Sequence, residues 1–387
     1  MENLASTSEA IVGRAAHRQV VPASESWREG LEIFLRDLAK SRTLLPGARE
    51  SIETFTAATL KARFAVENWL TDHPDVSATP VSRPLFILGM PRAGTTLLLN
   101  LLQFDPQRRV YWHWEANREL PPAQTAHLHD DPRIARRVAE VNAMLDSGAL
   151  PRNHHVEHGD EPTECNWIMA QDFKGYPWLV QTIVPDYFEW LMHEADMLSA
   201  YRYHGRLLRV LQSSAPGSWT LKFPSHALAV QQILAVYPDA RIVMTHRDPL
   251  KPVASSCSLC DQILSLQNRS TDRKALGYQT LTLNALGARR MSTARDAHPE
   301  TPFHDIHYAR FTRDPLATIH DLYAFEGMDL IPQVETQMRA ALDRHNAARE
   351  VAGAHRYALE DYGLTLAGLD RAFGDYVERY DVELERG

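Results

Sequence analysis

The sequence predicts an α/β fold: a three-layer α/β/α body with a central parallel sheet, preceded by an α-helical N-terminal extension. Three observations predict it. From residue 84 onward, short apolar runs alternate with amphipathic helical stretches, the pattern of strand–helix–strand crossovers. Before that point, residues 29–70 carry apolar positions at helical spacing. Between the two, Pro74, Pro80 and Pro84 end the helical start. The expected domains are therefore a helical extension over 1–80 and an α/β domain over 81–387.

The elements follow in order. Leu31, Phe34, Leu35 and Leu38 share one helical face, and Ile52 to Leu70 is a second stretch of helix formers. Leu85–Leu88 is a continuous apolar strand, with Thr95–Phe104 as its helix. Trp219–Phe223 is the next strand, followed by a helix with Val230, Ile233, Leu234 and Tyr237 on one face. Arg241–Thr245 leads into a helix from Leu250, and Phe303–Tyr308 into one carrying Leu316, Ile319 and Tyr323. Leu366, Leu369, Phe373, Tyr376 and Tyr380 make a last amphipathic helix. No internal repeat or low-complexity tract interrupts them.

Composition excludes several classes. A chain of 387 residues, 44% hydrophobic and with 8 Trp, has ample material for a core, which excludes disorder. Lys and Arg total 41 against 49 acidic residues, a net charge of −8, which argues against a nucleic-acid partner. A local positive pocket is untouched by that sum. Met1–Ile11 has no signal-peptide pattern, and apolar runs such as Leu85–Met90 are too short to span a membrane. Cys165, Cys257 and Cys260 are too few for a disulfide framework, so a cytoplasmic location is expected. The sequence leaves a homo-oligomer open.

The most informative segment is Pro84–Leu98, PLFILGMPRAGTTLL. A strand runs into Gly89, four residues separate it from Gly94, and a helix starts at once. Such a P-loop-like turn aims backbone N–H groups at one point before a helix N-terminus, which suits a phosphate. A Walker loop has lysine after its second glycine. Here Thr95 stands in that place, and the cation is Arg92 inside the loop. Without that lysine the loop can hold one phosphate but is poorly equipped for a triphosphate chain.

Pro91–Thr96, PRAGTT, resembles the 5′-phosphosulfate loop of sulfotransferases. The similarity is to the branch with Pro-Arg-Ser-Gly-Thr-Thr, found in tyrosylprotein sulfotransferases and bacterial small-molecule enzymes. Ala93 replaces the usual serine. The resemblance implies 3′-phosphoadenosine 5′-phosphosulfate (PAPS) as sulfuryl donor, with Arg92, Ala93, Gly94, Thr95 and Thr96 at its 5′ end. It also implies that Arg247 and Ser255, in the segment Thr245–Ser256, bind the 3′-phosphate. An arginine fork and a hydroxyl on the following turn suit that task. Tyr308, in FHDIHYARF, falls where the family has a tyrosine near the adenine, and Arg356 falls in a late segment that closes over the donor. The resemblance covers residues 84–380.

The reaction so implied is in-line displacement at sulfur, in which a hydroxyl or amine acceptor loses a proton and the leaving phosphate oxygen gains charge. The sulfuryl group carries less charge than a phosphoryl group, so no metal is called for. Glu115, in the segment YWHWEAN, lies just after the first helix of the α/β body, where tyrosylprotein sulfotransferases place a catalytic glutamate. The spacing here is two residues longer. His113 is the alternative base, since cytosolic sulfotransferases use a histidine. Lys222, in TLKFPSH, is the candidate for stabilising the leaving group, with His226 a cap or supporting group.

Two patterns compete for attention. His154–His158 spells the inverted zinc-protease motif, but Pro151, Gly159 and Pro162 crowd out the helix that motif needs. The stretch fits an acceptor pocket better, with Glu161, Glu164 and Trp167, for a small hydrophobic or aromatic molecule. Cys257 and Cys260 form C-x-x-C without a thioredoxin-like setting and read as buried thiols. Two other functions remain at this point: a P-loop small-molecule kinase, or a non-catalytic nucleotide-binding protein on a sulfotransferase scaffold.

Overall fold

A computed structural model describes residues 7–17, 19–148, 157–352 and 358–385. The chain begins with α1 (Ser8–Ala15), α2 (Arg28–Lys40), α3 (Ala48–Asp72) and α4 (Pro74–Ala78), then β1 (Leu85–Gly89), α5 (Thr95–Leu102) and β2 (Arg108–Val110). Next come α6 (Pro132–Asp146), α7 (Asn166–Gln171), α8 (Pro185–His193) and α9 (Met197–Gln212). These lead to β3 (Ser218–Lys222), α10 (Val230–Val236), β4 (Arg241–His246), α11 (Leu250–Ser265) and α12 (Arg273–Ala297). The last part holds β5 (Phe303–His307), α13 (Tyr308–Arg313), α14 (Pro315–Glu326), α15 (Pro332–Ala352) and α16 (Leu366–Arg379).

Two compact units emerge. One comprises residues 1–81, 111–216 and 260–272; the other comprises 82–110, 217–259 and 273–387. The first passage between the units falls after Val81. Within the first unit, α2 and α3 bury their apolar faces on later helices. Phe34 of α2 meets Trp178 and Tyr187 at ring distances of 5.0 and 5.9 Å. Arg63 of α3 makes a buried ion pair with Asp172 at 2.7 Å. The helical start thus packs with residues 111–216 of the same unit.

The second unit holds the sheet, ordered β2-β3-β1-β4-β5 and parallel throughout. Leu85 pairs with Arg241 and Gly89 with Thr245, so β1 and β4 end level. Both strands are buried along their whole length, as strands inside a parallel sheet should be. Side chains alternate between faces. Leu85 and Ile87 join Leu98 of α5, Ile319 of α14 and Met338 of α15 in one core, while Phe86 points away from it to Tyr237, beyond α10, at 5.3 Å. Helices thus cover both faces, and the three-layer prediction holds.

Two local expectations shift. Tyr308 opens α13 instead of closing β5. The edge strand β2 was not foreseen: Arg108-Arg109-Val110 offers no apolar run. Its arginines are buried because each finds a partner. Arg108 pairs with Glu326 at 2.5 Å and donates to Thr220, and the Arg109 guanidinium lies 4.9 Å from the Trp219 ring.

Candidate active site

The loop after β1 is shaped by close backbone approach. Gly89 has φ of 140°, and a Cβ there would lie 2.4 Å from Thr245 Oγ1 and 2.5 Å from Thr245 O. Arg92 and Gly94 then take positive φ, 65° and 86°, turning the chain into α5. A side chain at Gly94 would meet the Phe311 ring at 3.1 Å. The first turn of α5 leaves its N–H groups without helical partners and carries the positive end of the helix dipole. Lys222, at the end of β3 and 1% exposed, donates to Thr96 Oγ1 at 3.2 Å. Register explains this meeting: Lys222 pairs with Ile87, two residues before the loop begins. Ala93 and Thr95 are buried and Arg92 is exposed.

The end of β4 supplies a second basic centre. Arg247 donates from Nη1 to the Arg92 carbonyl at 2.6 Å, and its guanidinium lies 3.7 Å from the Tyr308 ring centroid. Tyr308 also borders Gly94, at 3.4 Å from the position a Cβ would occupy. The structure therefore brings Arg92, Gly94, Arg247 and Tyr308 together. Asp248 Oδ1 accepts from the Leu250 N–H at 3.0 Å, a capping contact at the start of α11. Further along that helix, Ser255 is buried and its hydroxyl has no partner among the described residues.

Neighbours of this centre include groups that no motif announced. Glu385, beyond α16, makes an ion pair with Arg247 at 2.5 Å. His246 joins Asp305 through Nε2 at 2.9 Å and the Tyr376 hydroxyl through Nδ1 at 3.2 Å, and Arg295 bonds Asp305 at 2.7 Å. Burial raises the Asp305 pKa, but the bonds from His246 and Arg295 outweigh it and hold the carboxyl below its usual range. Their spacing in sequence carried no signal.

Glu115 and His113 lie in the other unit, on one tight turn. Glu115 is 1% exposed, and its Oε2 accepts from the Trp112 N–H at 3.2 Å. His113 Nδ1 lies 3.2 Å from the His158 carbonyl. Burial, then the Arg137 charge, lower the His113 pKa to about 4, so its ring is neutral near pH 7. Sequence reasoning missed Glu119 in the same segment. Its Oε1 accepts from Tyr111 Oη at 3.1 Å, Asn117 N at 3.0 Å and Gln171 Nε2 at 2.7 Å. Burial raises its pKa to about 7 despite these bonds.

The decoy patterns resolve partly. Glu157 and His158 are not helical; Glu157 accepts from the Thr163 hydroxyl, and Glu161 Oε2 from the His158 N–H at 3.0 Å. His154, His155 and Arg356 lie outside the described residues. Cys165, Cys257 and Cys260 are buried thiols, none in a disulfide among the described residues. Among the described residues, no helix is long and apolar enough to cross a membrane.

A glycine-shaped loop at the carboxyl end of a parallel sheet, met by an arginine from the adjacent strand end, defines an anion-binding α/β protein. Comparison with known proteins gives the class its family. The model of the sulfotransferase family matches residues 84–332, which include the loop, Lys222, Arg247, Ser255 and Tyr308. The crystal structure of sulfotransferase STF9 from Mycobacterium avium is 35% identical and superposes with a TM-score of 0.92, all of both chains being covered. STF1 from Mycobacterium tuberculosis H37Rv is 25% identical with a TM-score of 0.84, over 96% of this chain and 99% of that one. An omega-hydroxy-beta-dihydromenaquinone-9 sulfotransferase, Stf3 of Mycobacterium bovis, is 24% identical over 315 residues, 78% of this chain and 75% of its own. The chain belongs to the sulfotransferase family and is a sulfuryl-transferring enzyme.

Proposed function

We propose that this sulfotransferase takes its sulfuryl group from PAPS and passes it to a hydroxyl or amine of a small lipophilic acceptor, in the cytoplasm and without a metal. The observation that supports the donor assignment is the arginine at the end of β4, beside the loop. Arg247, packed on Tyr308, offers a forked donor and Ser255 a buried hydroxyl without a partner among the described residues, groups that suit a 3′-phosphate in addition to the loop. A kinase for a small molecule has no use for such groups and would need the lysine that Thr95 replaces.

The residues divide the work. The amides from Ala93 to Thr96 and the Arg92 side chain hold the 5′ end of the donor. Lys222 stabilises the charge that grows on the leaving phosphate oxygen, and Thr96 keeps its ammonium beside the loop. Glu115 takes the acceptor proton, with His113 as the alternative base. The new bond forms between the acceptor atom and sulfur as the bond from sulfur to the 5′-phosphate oxygen breaks. Adenosine 3′,5′-bisphosphate leaves.

Support for a lipophilic acceptor comes from the menaquinone derivative in the name of the Stf3 relative. A small cavity beside the loop has a matching character. Met90, Pro91, Leu228, Leu283 and Met291 line it, with Asn284 among them. Asn284 is 4% exposed and its Oδ1 has no partner among the described residues.

The test compares two ligands by thermal unfolding. Adenosine 3′,5′-bisphosphate is expected to stabilise the protein by about 2.7 kcal/mol at a hundredfold excess over its Kd, and ATP with Mg²⁺ to do markedly less. Stronger stabilisation by ATP with Mg²⁺ would favour the kinase reading.

A further inference from the structure

Arg247 is already engaged. The residues after α16 return to β4, and there Glu385 places its carboxylate on the guanidinium with both oxygens: Oε1 to Nε at 2.5 Å and Oε2 to Nη2 at 3.0 Å. Lys251, on the first turn of α11, adds a contact to Oε2 at 2.7 Å. The Glu385 backbone N–H donates to Asp248 Oδ2 at 2.7 Å, so the carboxylate is fixed from the chain as well as from its tip. The packing is close: the Arg247 side chain is 12% exposed and that of Glu385 20%. Val382 anchors the segment, being buried and donating its N–H to the Val377 carbonyl at 3.0 Å.

A forked, two-oxygen contact on a guanidinium is the geometry that a phosphate oxyanion would make. Nη1 is also taken, by the Arg92 carbonyl, so Glu385 holds the two remaining nitrogens of the fork. A carboxylate and a doubly charged phosphate cannot share them, since like charges in hydrogen-bond contact repel strongly.

We infer that Glu385 is an internal stand-in for the donor's 3′-phosphate, and that residues 382–385 form a strap that must leave Arg247 before the donor binds in full. The inference rests on the proposed role of Arg247. It gives the strap two effects. Donor affinity is reduced by the fraction of molecules with the strap closed. Arg247 is kept paired while no donor is present, which avoids a half-buried unpaired cation. Glu385 makes its contact through Arg247 and Lys251 rather than with reacting atoms, so it acts on binding and not on the chemical step.

The experiment measures affinity for adenosine 3′,5′-bisphosphate and adenosine 5′-phosphate by calorimetry in the full chain, Glu385→Gln and Arg247→Ala. Glu385→Gln keeps the shape of the side chain and removes the competing charge. It is expected to tighten the bisphosphate about tenfold and the monophosphate less than twofold, because only the former needs the fork. Arg247→Ala is expected to weaken the bisphosphate about 10- to 150-fold and the monophosphate little. If Arg247→Ala behaves so and Glu385→Gln leaves bisphosphate affinity unchanged or lower, the strap is wrong while the Arg247 assignment stands. If Arg247→Ala weakens both nucleotides equally, the assignment falls and the strap with it. Amide hydrogen exchange provides the second measurement. Saturating bisphosphate should speed exchange at the Glu385 N–H by releasing it from Asp248; unchanged or slower exchange would overturn the strap.

Discussion

Lys222 and Glu115 are set apart by what each touches. Lys222 is buried with its ammonium on a loop hydroxyl, so Lys222→Ala should lower both donor affinity and turnover. Glu115 caps its own turn through the Trp112 N–H, and Glu115→Gln can keep that bond while losing the ability to take a proton. Turnover of Glu115→Gln is expected to fall by roughly 10²–10⁴ with donor affinity nearly unchanged. A nitrophenol acceptor, which ionises without help, should partly rescue it and leave Lys222→Ala unrescued. Steady-state kinetics with both acceptors check this. Normal turnover of Glu115→Gln beside a loss in His113→Ala would move the base to His113, whose neutral ring is able to accept a proton. Both candidates were legible because they stand in short segments whose residue types match a known chemistry. Glu119 and Glu385 were not. Glu119 depends on Gln171, fifty-two positions away, and Glu385 on Arg247, so only the folded chain brings their partners within reach.

Elements were legible where apolar residues mark the strand. β1, β3, β4 and β5 emerged from their apolar runs, and β2 did not, because its two arginines are buried by pairing rather than by hydrophobicity. Loop geometry was legible in part: the sequence marked Gly89 and Gly94 as a turn but could not say which one is sterically locked. Gly89→Ala tests this. Its φ of 140° disfavours a side chain, and the added methyl would collide with the Thr245 backbone carbonyl as well as its hydroxyl. Gly327, at the end of α14, has a positive φ of 67° and open space around it, so alanine there meets strain alone. Urea unfolding should show a loss of about 1 kcal/mol for Gly327→Ala and at least twice that for Gly89→Ala. Donor binding should weaken only in the latter, because β1 must move away from β4 where the loop begins. Equal losses would mean that the β1–β4 approach adjusts freely.

At the scale of the whole molecule, stability should depend on pH through buried groups that sequence could not identify, because each is titratable in type and buried only by the fold. Burial lowers the pKa of His113 to about 4 and of His204 to about 3. Their unfolded values lie near 6.5, so the unfolded chain binds protons first as pH falls. The stability they contribute is present above about pH 6.5 and is lost as pH falls toward 4. Glu119 has the opposite sign. Its carboxyl is raised to about 7 by burial, beside Tyr111 and with the Arg137 charge in the same unit, while the unfolded value is near 4.5. Its contribution is present below about pH 4.5 and is lost as pH rises through 7. Glu119→Gln isolates that effect, since an amide oxygen can keep the bonds from Tyr111, Asn117 and Gln171, all of which meet one oxygen of the carboxyl group. The stability of the variant relative to the parent should rise between pH 4.5 and 7 with a slope of up to about 1.4 kcal/mol per pH unit, the value for one proton. Urea unfolding at pH 5, 6 and 7 gives the slope directly. Parallel curves for the two proteins would mean that Glu119 is ionised in the native state, with its charge carried by the three donors around it.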